Sequence, residues 1–370
     1  MSKYIYQLAD WPAFKWDEKL IAPLLTETRH RQGRLLGRME ALGFGLQEEA
    51  NLSTLALEVV KSSEIEGELL NAEEVRSSIA RRLGIETGNN IEAGRDVEGV
   101  VEMVMDAVDS FRQPLTAERL FGWHSALFPS GRSGMYTIVT GNWRDNDPSD
   151  PMQVVSGPMG KEKVHFEAPA SVRIPEMMDQ LLHWINQPLS IDPVLKSAIA
   201  HLWFVTVHPF DDGNGRIGRA IMDRQLAVAD GSSKRFYSMS SQILKERKEY
   251  YFQLEEAQKG TLDITEYLNW FLSCFDRAIL NTDEVLSRIL TKSHFWKQHA
   301  AVSLNPRQIK VINRLLDGFD GKLTSTKWAK ICKCSQDTAL RDINMLIELQ
   351  ILQKTDEGGR SSGYIIYNFI

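Results

Sequence analysis

Cysteine is scarce in this chain: three residues in 370, at Cys274, Cys332 and Cys334. That number excludes a disulfide framework and suits a reducing compartment. Cys332 and Cys334 form a C-x-C pair with no nearby Cys or His to complete a tetrahedral set, which argues against a structural zinc site. An excess of positive charge is missing too. The formal net charge is -6, so no global basic field draws the chain to nucleic acid or anionic lipid. The first fourteen residues hold acidic and aromatic side chains and no continuous apolar run. Neither a signal peptide nor a membrane span is therefore expected, and the expected location is cytoplasmic. Internal repeats and low-complexity tracts are absent. What is present is an ordinary globular composition, 43% hydrophobic and 25% charged, at a length that allows two or three domains.

Helical periodicity dominates. A helix is predicted from about Asp17. Another runs from Asn51 to about Glu66, with Leu52, Leu55, Ala56, Val59 and Val60 as its apolar stripe, and Gly67 stops it. Further helices are predicted at Ala72–Arg82, Glu92–Phe111 and Ala117–Phe128, the last capped by Thr116. Residues 134–169 are rich in Gly, Pro, Asn and Asp. Their two β-prone runs, Gln153–Ser156 and Val164–Phe166, flank the turn signal Gly157–Gly160 and predict one hairpin in a helical background. Helices resume at Ile174–Asn186, Asp192–Val207, Gly215–Asp230, Glu246–Lys259 and Ile264–Leu290. Beyond Pro306 come three short helices (Gln308–Leu316, Ser325–Cys332, Gln336–Leu349), then Ile351–Lys354, the turn Asp356–Arg360, and Gly363–Tyr367. That order is a winged helix-turn-helix pattern.

Chemistry concentrates in His208-Pro-Phe-Asp-Asp-Gly-Asn-Gly-Arg-Ile-Gly-Arg219. Pro209 turns the chain at the end of the preceding helix, and Phe210 is an apolar anchor. Gly213 and Gly215 flank Asn214 and let backbone amides bend inward. The next helix begins at that point, so its unpaired amides and positive dipole end face the same spot and form an anion nest. Arg216 and Arg219, three apart, share a helix face and offer planar donor forks to phosphate oxygens. Asp212 is a hard oxygen ligand suited to Mg²⁺ on a polyphosphate, and Asn214 can hold a phosphate oxygen without adding charge. His208 can take a proton from an attacking hydroxyl. Singly, a helix-end histidine, an Asp-Gly turn or two spaced arginines are ordinary structural features. As one ordered string they describe phosphoryl or nucleotidyl transfer.

That string, His-Pro-Phe-x-Asp-Gly-Asn-Gly-Arg-x-x-Arg over 208–219, resembles the signature of Fic-domain proteins at every specified position. The resemblance implies a mainly α fold: a helical core with a β-hairpin flap. It implies AMP transfer from ATP to a Ser, Thr or Tyr hydroxyl of a protein, including the chain itself, with release of pyrophosphate. On this reading His208 deprotonates the target hydroxyl and Asp212 binds Mg²⁺. Gly213, Asn214 and Gly215 hold the α-phosphate, Arg216 and Arg219 the β- and γ-phosphates, and Ile217 and Gly218 complete the nucleotide-binding run. Val154, Val155, Ser156 and Gly157, with Val164–Phe166, resemble the flap that covers the nucleotide and holds a target segment by strand addition. Tyr250, Tyr251 and Gln258 match positions near the adenine and ribose pocket. Ser62-Ser-Glu-Ile-Glu66-Gly67 resembles the family's inhibitory motif. A helix puts Ser62 and Glu66 on one face, where Glu66 can pair with Arg219 and take the place of the γ-phosphate.

The expected organisation is an N-terminal helical segment (1–112) carrying the inhibitory helix, a catalytic core with flap (113–295), and a winged helix (304–370). Residues 305–370 hold ten basic and seven acidic residues. Arg341 on the recognition helix and Arg360 in the wing keep DNA contact open, beside a protein-docking or dimer-supporting role. The expected partners are a hydroxyl-bearing target protein, a second copy in a homodimer, and DNA, with no membrane. Three rivals keep the same motif: an enzyme that uses Glu66 to remove AMP, a phosphotransferase, and a DNA-binding regulator whose motif only senses nucleotide. The resemblance disfavours the phosphotransferase, because related kinases of this fold lack the second glycine that Gly215 supplies here.

Overall fold

The computed structural model describes residues 4–85, 91–147, 149–157, 161, 163–188, 190–316, 319, 322–355 and 363–367. The chain is mainly helical and divides into two compact units, Met1–Asn281 and Thr282–Ile370. In the first unit the helices are α1 (Glu18–Glu40), α2 (Phe44–Ile65), α3 (Ala72–Leu83), α4 (Arg95–Asp109), α5 (Ala117–Leu127), α6 (Ile174–Asn186), α7 (Pro193–Val207), α8 (Asn214–Asp230), α9 (Met239–Lys245) and α10 (Arg247–Lys259). The unit boundary falls within α11 (Thr265–Gln298). Between α5 and α6 lie strands β1 (Arg132–Ser133), β2 (Tyr136–Thr137), β3 (Gln153–Ser156) and β4 (Lys163–Glu167). The expected boundaries at 112 and 304 are finer than this two-unit division.

Helix α7 is the axis of the first unit. The sequence suggests one apolar face, yet every residue from Val194 to Val207 is buried, including Lys196, Ser197, His201 and Thr206. A helix apolar all round belongs in a core. Its polar members have partners: Ser197 donates to the Met222 carbonyl at 2.9 Å, and Lys196 to the Gln187 carbonyl at 2.9 Å. Asp192 caps it through the Val194 amide, and Pro193 occupies the first turn, where a missing N–H costs nothing. Helix α8 packs along α7, and α2 lies against α9 and α8. That last contact brings the Ser62–Gly67 segment to the motif.

Helix α2 begins at Phe44, seven residues before the predicted Asn51. Phe44 is 77% exposed, so the first turns carry no apolar stripe to read. Gly67 does end the helix, at φ 89°. Two hairpins, not one, occupy the region after α5: β1 with β2, and β3 with β4, both antiparallel. The predicted flap turn falls on Gly157–Gly160, of which 158–160 lie outside the described residues. Among the described residues, no helix is long and apolar enough to cross a membrane.

The second unit holds α12 (Pro306–Leu316), α13 (Ser325–Cys332) and α14 (Gln336–Glu348), then the antiparallel strands β5 (Leu352–Lys354) and β6 (Tyr364–Ile366). Trp328, Ile343, Leu346 and Val311 form its core. Asp342 accepts two bonds from the Arg307 guanidinium, at 2.7 and 3.1 Å, so it is a structural partner and not a free surface charge. Arg341 is exposed on α14, while the turn Asp356–Arg360 lies outside the described residues.

Candidate active site

The loop between α7 and α8 is fixed from several sides. His208 ends α7 in the left-handed region at φ 51°, a conformation that costs a non-glycine residue about 1–3 kcal/mol and persists only where the surroundings impose it. Arg144 supplies much of that constraint. It is 2% exposed, and its Nε donates to the His208 carbonyl at 2.8 Å and its Nη2 to the Pro169 carbonyl at 2.5 Å. Burial lowers its pKa to about 10. Phe210 is fully buried and stacks on His124 with centroids 4.2 Å apart. Asn214 closes the loop: its Oδ1 accepts from the Phe210 amide at 3.0 Å and its Nδ2 donates to the Phe210 carbonyl at 2.7 Å. The side chain expected to hold a phosphate oxygen is here engaged on both its polar atoms within the loop. It braces the turn, and what it can offer an anion is its backbone amide.

Gly213 caps α8 at φ 79°, and α8 starts at Asn214, one residue before the expected Gly215. Its first amides have no partner within the helix, as at any helix start. Asp212 carries one oxygen to the Gly213 amide at 2.6 Å and the other to the Ser133 hydroxyl. Asp211 accepts from the Val139 amide at 2.8 Å. The β1–β2 segment is thus pinned to the loop, which nothing in its sequence announced.

The imidazole of His208 is partly buried, and its Nδ1 lies 3.3 Å from the Val205 carbonyl. A carbonyl only accepts, so Nδ1 carries the proton and Nε2 keeps a lone pair. Burial, helped by the charge of Arg144, lowers its pKa to about 4 and keeps it neutral near pH 7. Glu66 and Asp212 pull weakly the other way.

Both motif arginines meet the last turn of α2 and the residues just after it. Arg219 is 1% exposed and makes three bonds to it: Nε to Ser62 Oγ at 2.9 Å, Nη2 to the Ser62 carbonyl at 2.7 Å, and Nη1 to Glu66 Oε1 at 2.7 Å. Burial alone would lower its pKa, but the charge and hydrogen bond of Glu66, together with Tyr250 and Tyr251, raise it on balance. Arg216 donates to Glu68 Oε2 at 2.5 Å and lies over the Phe128 ring. Glu68, the residue that follows the Ser62–Gly67 motif, carries no sequence signal of its own; its pKa is raised by burial despite the Arg216 charge. Gly215 admits the Glu66 carboxylate to the start of α8. A Cβ there would lie 2.0 Å from Glu66 Oε1 and 3.2 Å from Arg219 Nη1. A carboxylate thus lies against the start of α8, beside Arg219.

A cavity of about 680 Å³ adjoins this point. Glu66, His208 and Gly215 line it, together with flap residues Val154, Val155 and Ser156 and the α10 residues Tyr250, Tyr251 and Gln258. Tyr250 is nevertheless mostly core: its hydroxyl meets His201 Nε2 at 3.1 Å, and burial raises its pKa. Tyr251 reaches Glu66 Oε2 at 3.3 Å. Gln258 donates to the Val205 carbonyl at 3.3 Å and supports the end of α7. Ile217 and Gly218, expected in the nucleotide run, do not line the cavity. Ile217 is fully buried, and a Cβ on Gly218 would meet Val205 at 2.9 Å, so this face of α8 packs on α7. Among the described residues, no group of three or more His, Cys, Asp or Glu could hold a metal ion. A single carboxylate such as Asp212 still fits Mg²⁺, which is commonly held by one or two carboxylates plus substrate phosphates.

Residues 114–226 match the Fic/DOC family, and residues 4–85 match a domain of unknown function, DUF4172. A probable protein adenylyltransferase of Aquifex aeolicus is 32% identical over 104 residues, 28% of this chain and 30% of that protein. The protein adenylyltransferase Fic of Drosophila grimshawi is 32% identical over 105 residues, 28% of this chain and 20% of that protein. The protein adenylyltransferase fic-1 of Caenorhabditis elegans is 28% identical over 214 residues, 56% of this chain and 38% of that protein. The chain therefore spans well under half the length of these relatives. A Fic family protein from Desulfovibrio desulfuricans G20 superposes with a TM-score of 0.53 at 21% identity, covering 94% of this chain and 96% of that one. A Fic-domain signalling protein from Bacteroides thetaiotaomicron VPI-5482 superposes with a TM-score of 0.50 at 20% identity, over 69% and 95% of the two chains. At these identities the likeness is one of fold.

Proposed function

From the premise that residues 114–226 form a Fic/DOC domain, we propose that this chain transfers AMP from ATP to a protein hydroxyl and releases pyrophosphate, under restraint by Glu66. The observation that carries the reading is the Glu66 carboxylate seated at the start of α8 and bonded to Arg219. A site that holds a carboxylate there is built for a negative group, and a terminal phosphate is the natural competitor.

The mechanism follows from the residues. Amides at Gly213–Gly215 and the α8 dipole stabilise charge on the phosphate that is attacked. Arg216 and Arg219, released from Glu68 and Glu66, neutralise the leaving pyrophosphate. His208 Nε2 accepts the proton of the incoming hydroxyl as its oxygen bonds to the α-phosphorus and the bond to the pyrophosphate oxygen breaks. Asp212 is the residue that would hold Mg²⁺, which when bound supplies charge neutralisation on the phosphates. With Glu66 in place, the terminal phosphate cannot reach Arg219, and the α-phosphorus is misdirected from in-line attack.

The α12–α14 order followed by the β5–β6 hairpin supports a winged helix-turn-helix reading of the second unit. The exposed Arg341 leaves DNA, a protein partner or a second copy as its occupant. The test of the main proposal uses ATP labelled at either the α- or the γ-phosphate. Incorporation of the α label alone, with pyrophosphate released, supports it; incorporation of the γ label replaces it with phosphotransfer.

A further inference from the structure

We propose that His165 and Glu255 are positioning residues that clasp the flap hairpin to α10 and so set the width of the nucleotide cavity. The proposal rests on the nucleotide reading of that cavity. Two-stranded hairpins are marginal in water without further packing. At its root this one is anchored by Phe166, 1% exposed and edge-on to Tyr4 at 5.0 Å. Beyond the root, the strand pairing breaks register. Val154 faces Phe166 and Val155 faces Val164, which leaves His165 between them without a partner. An extra residue of this kind re-aims its side chain and bends the strand, often beside a functional site.

The re-aimed ring joins three elements. His165 Nδ1 lies 2.6 Å from Glu255 Oε2 on α10, and its Nε2 lies 2.6 Å from Ser156 Oγ on β3. A carboxylate only accepts, so Nδ1–H donates to Glu255. Lys259, one turn along α10, donates to the other Glu255 oxygen at 2.5 Å and fixes that carboxylate in turn. The ring therefore ties β4 to β3 and both strands to the helix that forms the facing wall. Ser156, His165, Glu255 and His208 all line the same cavity. Neither His165 nor Glu255 carries a share of the reaction here; they hold Val154 and Val155 where a nucleotide would meet them.

The test compares the full chain with Glu255→Ala, Glu255→Gln and His165→Ala. Backbone hydrogen exchange over residues 153–157 and 163–167 reads the clasp without any catalysis. Exchange there rises about tenfold in both alanine variants. It returns most of the way in Glu255→Gln, whose amide oxygen still accepts from Nδ1–H. In a Glu66→Gly background, the same alanine variants lose kcat/KM for ATP chiefly through KM, by about five- to tenfold, because the site is widened and not disarmed. Unchanged exchange in both alanine variants overturns the clasp, as does a loss confined to kcat. A chain that transfers no AMP in any background removes the proposed activity, while the exchange measurement still decides whether the flap is clasped.

Discussion

Replacing Glu66 perturbs the site most informatively. Arg219 holds three acceptors on the α2 segment, and Glu66 supplies one of them at 2.7 Å. A hydrogen bond between charged groups contributes about 1.5–3 kcal/mol net. Glu66 is 29% exposed, so screening places this bond near the lower end, about 1.5–2 kcal/mol. A terminal phosphate must displace that bond before it reaches Arg219. At about 1.4 kcal/mol per factor of ten, Glu66→Gly should raise AMP incorporation about 10- to 30-fold at low ATP. Glu66→Gln should fall between the two, since it keeps an acceptor oxygen and loses the charge. The assay is incorporation of α-labelled ATP into the full chain, with nucleotide affinity measured in parallel. The same rate in all three proteins, with nucleotide bound equally, would refute the reasoning and leave the Glu66–Arg219 pair a purely structural contact.

Other outcomes follow from the same geometry. Glu68→Ala should raise incorporation by a smaller factor, about two- to fivefold, because Glu68 is 46% exposed and its bond to Arg216 is more screened; rates of the single and double Glu66 and Glu68 variants check this. His208→Ala in the Glu66→Gly background should lower AMP transfer by at least about a hundredfold while nucleotide still binds, as paired rate and affinity measurements would show. Asn214→Ala should destabilise the fold by about 1–3 kcal/mol, since it leaves the buried Phe210 amide and carbonyl without partners; urea unfolding measures it. Burial lowers the pKa of His124 to about 4, of His201 to about 3 and of His208 to about 4. The unfolded chain binds these protons first, so their stabilising contribution is fully present above about pH 6.5 and is lost as pH falls towards 4 for His124 and His208 and towards 3 for His201. Thermal melts across that window should show it, with the midpoint falling on acidification.

Much of this site was legible because its elements are local. The run from His208 to Arg219 contains the histidine, the glycine turn and both arginines, and the α7–turn–α8 geometry follows from Pro209, Gly213 and helix periodicity. Ser62 and Glu66 are one turn apart in any helix, so their common face could be read; that the face meets Arg219 depends on how α2 packs. What stayed hidden is long-range. Arg144 reads as a loop arginine, and only folding buries it against the His208 carbonyl. Glu68 sits past the helix end, where periodicity has nothing to say. The β1 and β2 strands are two residues each, too short for alternation to register, and α9 is a seven-residue helix with little pattern. His165 reads as one residue of the flap strand and nothing more, because a register break cannot be seen in one strand. The resemblance puts Ile217 and Gly218 in the nucleotide run, whereas the turn of α8 packs them on α7.

The central claim is that the start of α8 is a phosphate site which Glu66 occupies. A crystal structure of the Glu66→Gly protein with Mg²⁺ and ATP tests it most directly. The account predicts phosphates on the amides of Gly213–Gly215, with the terminal one on Arg219 and the α-phosphorus facing His208 Nε2. Nucleotide bound elsewhere, with Arg219 still engaged only by Ser62, would contradict it.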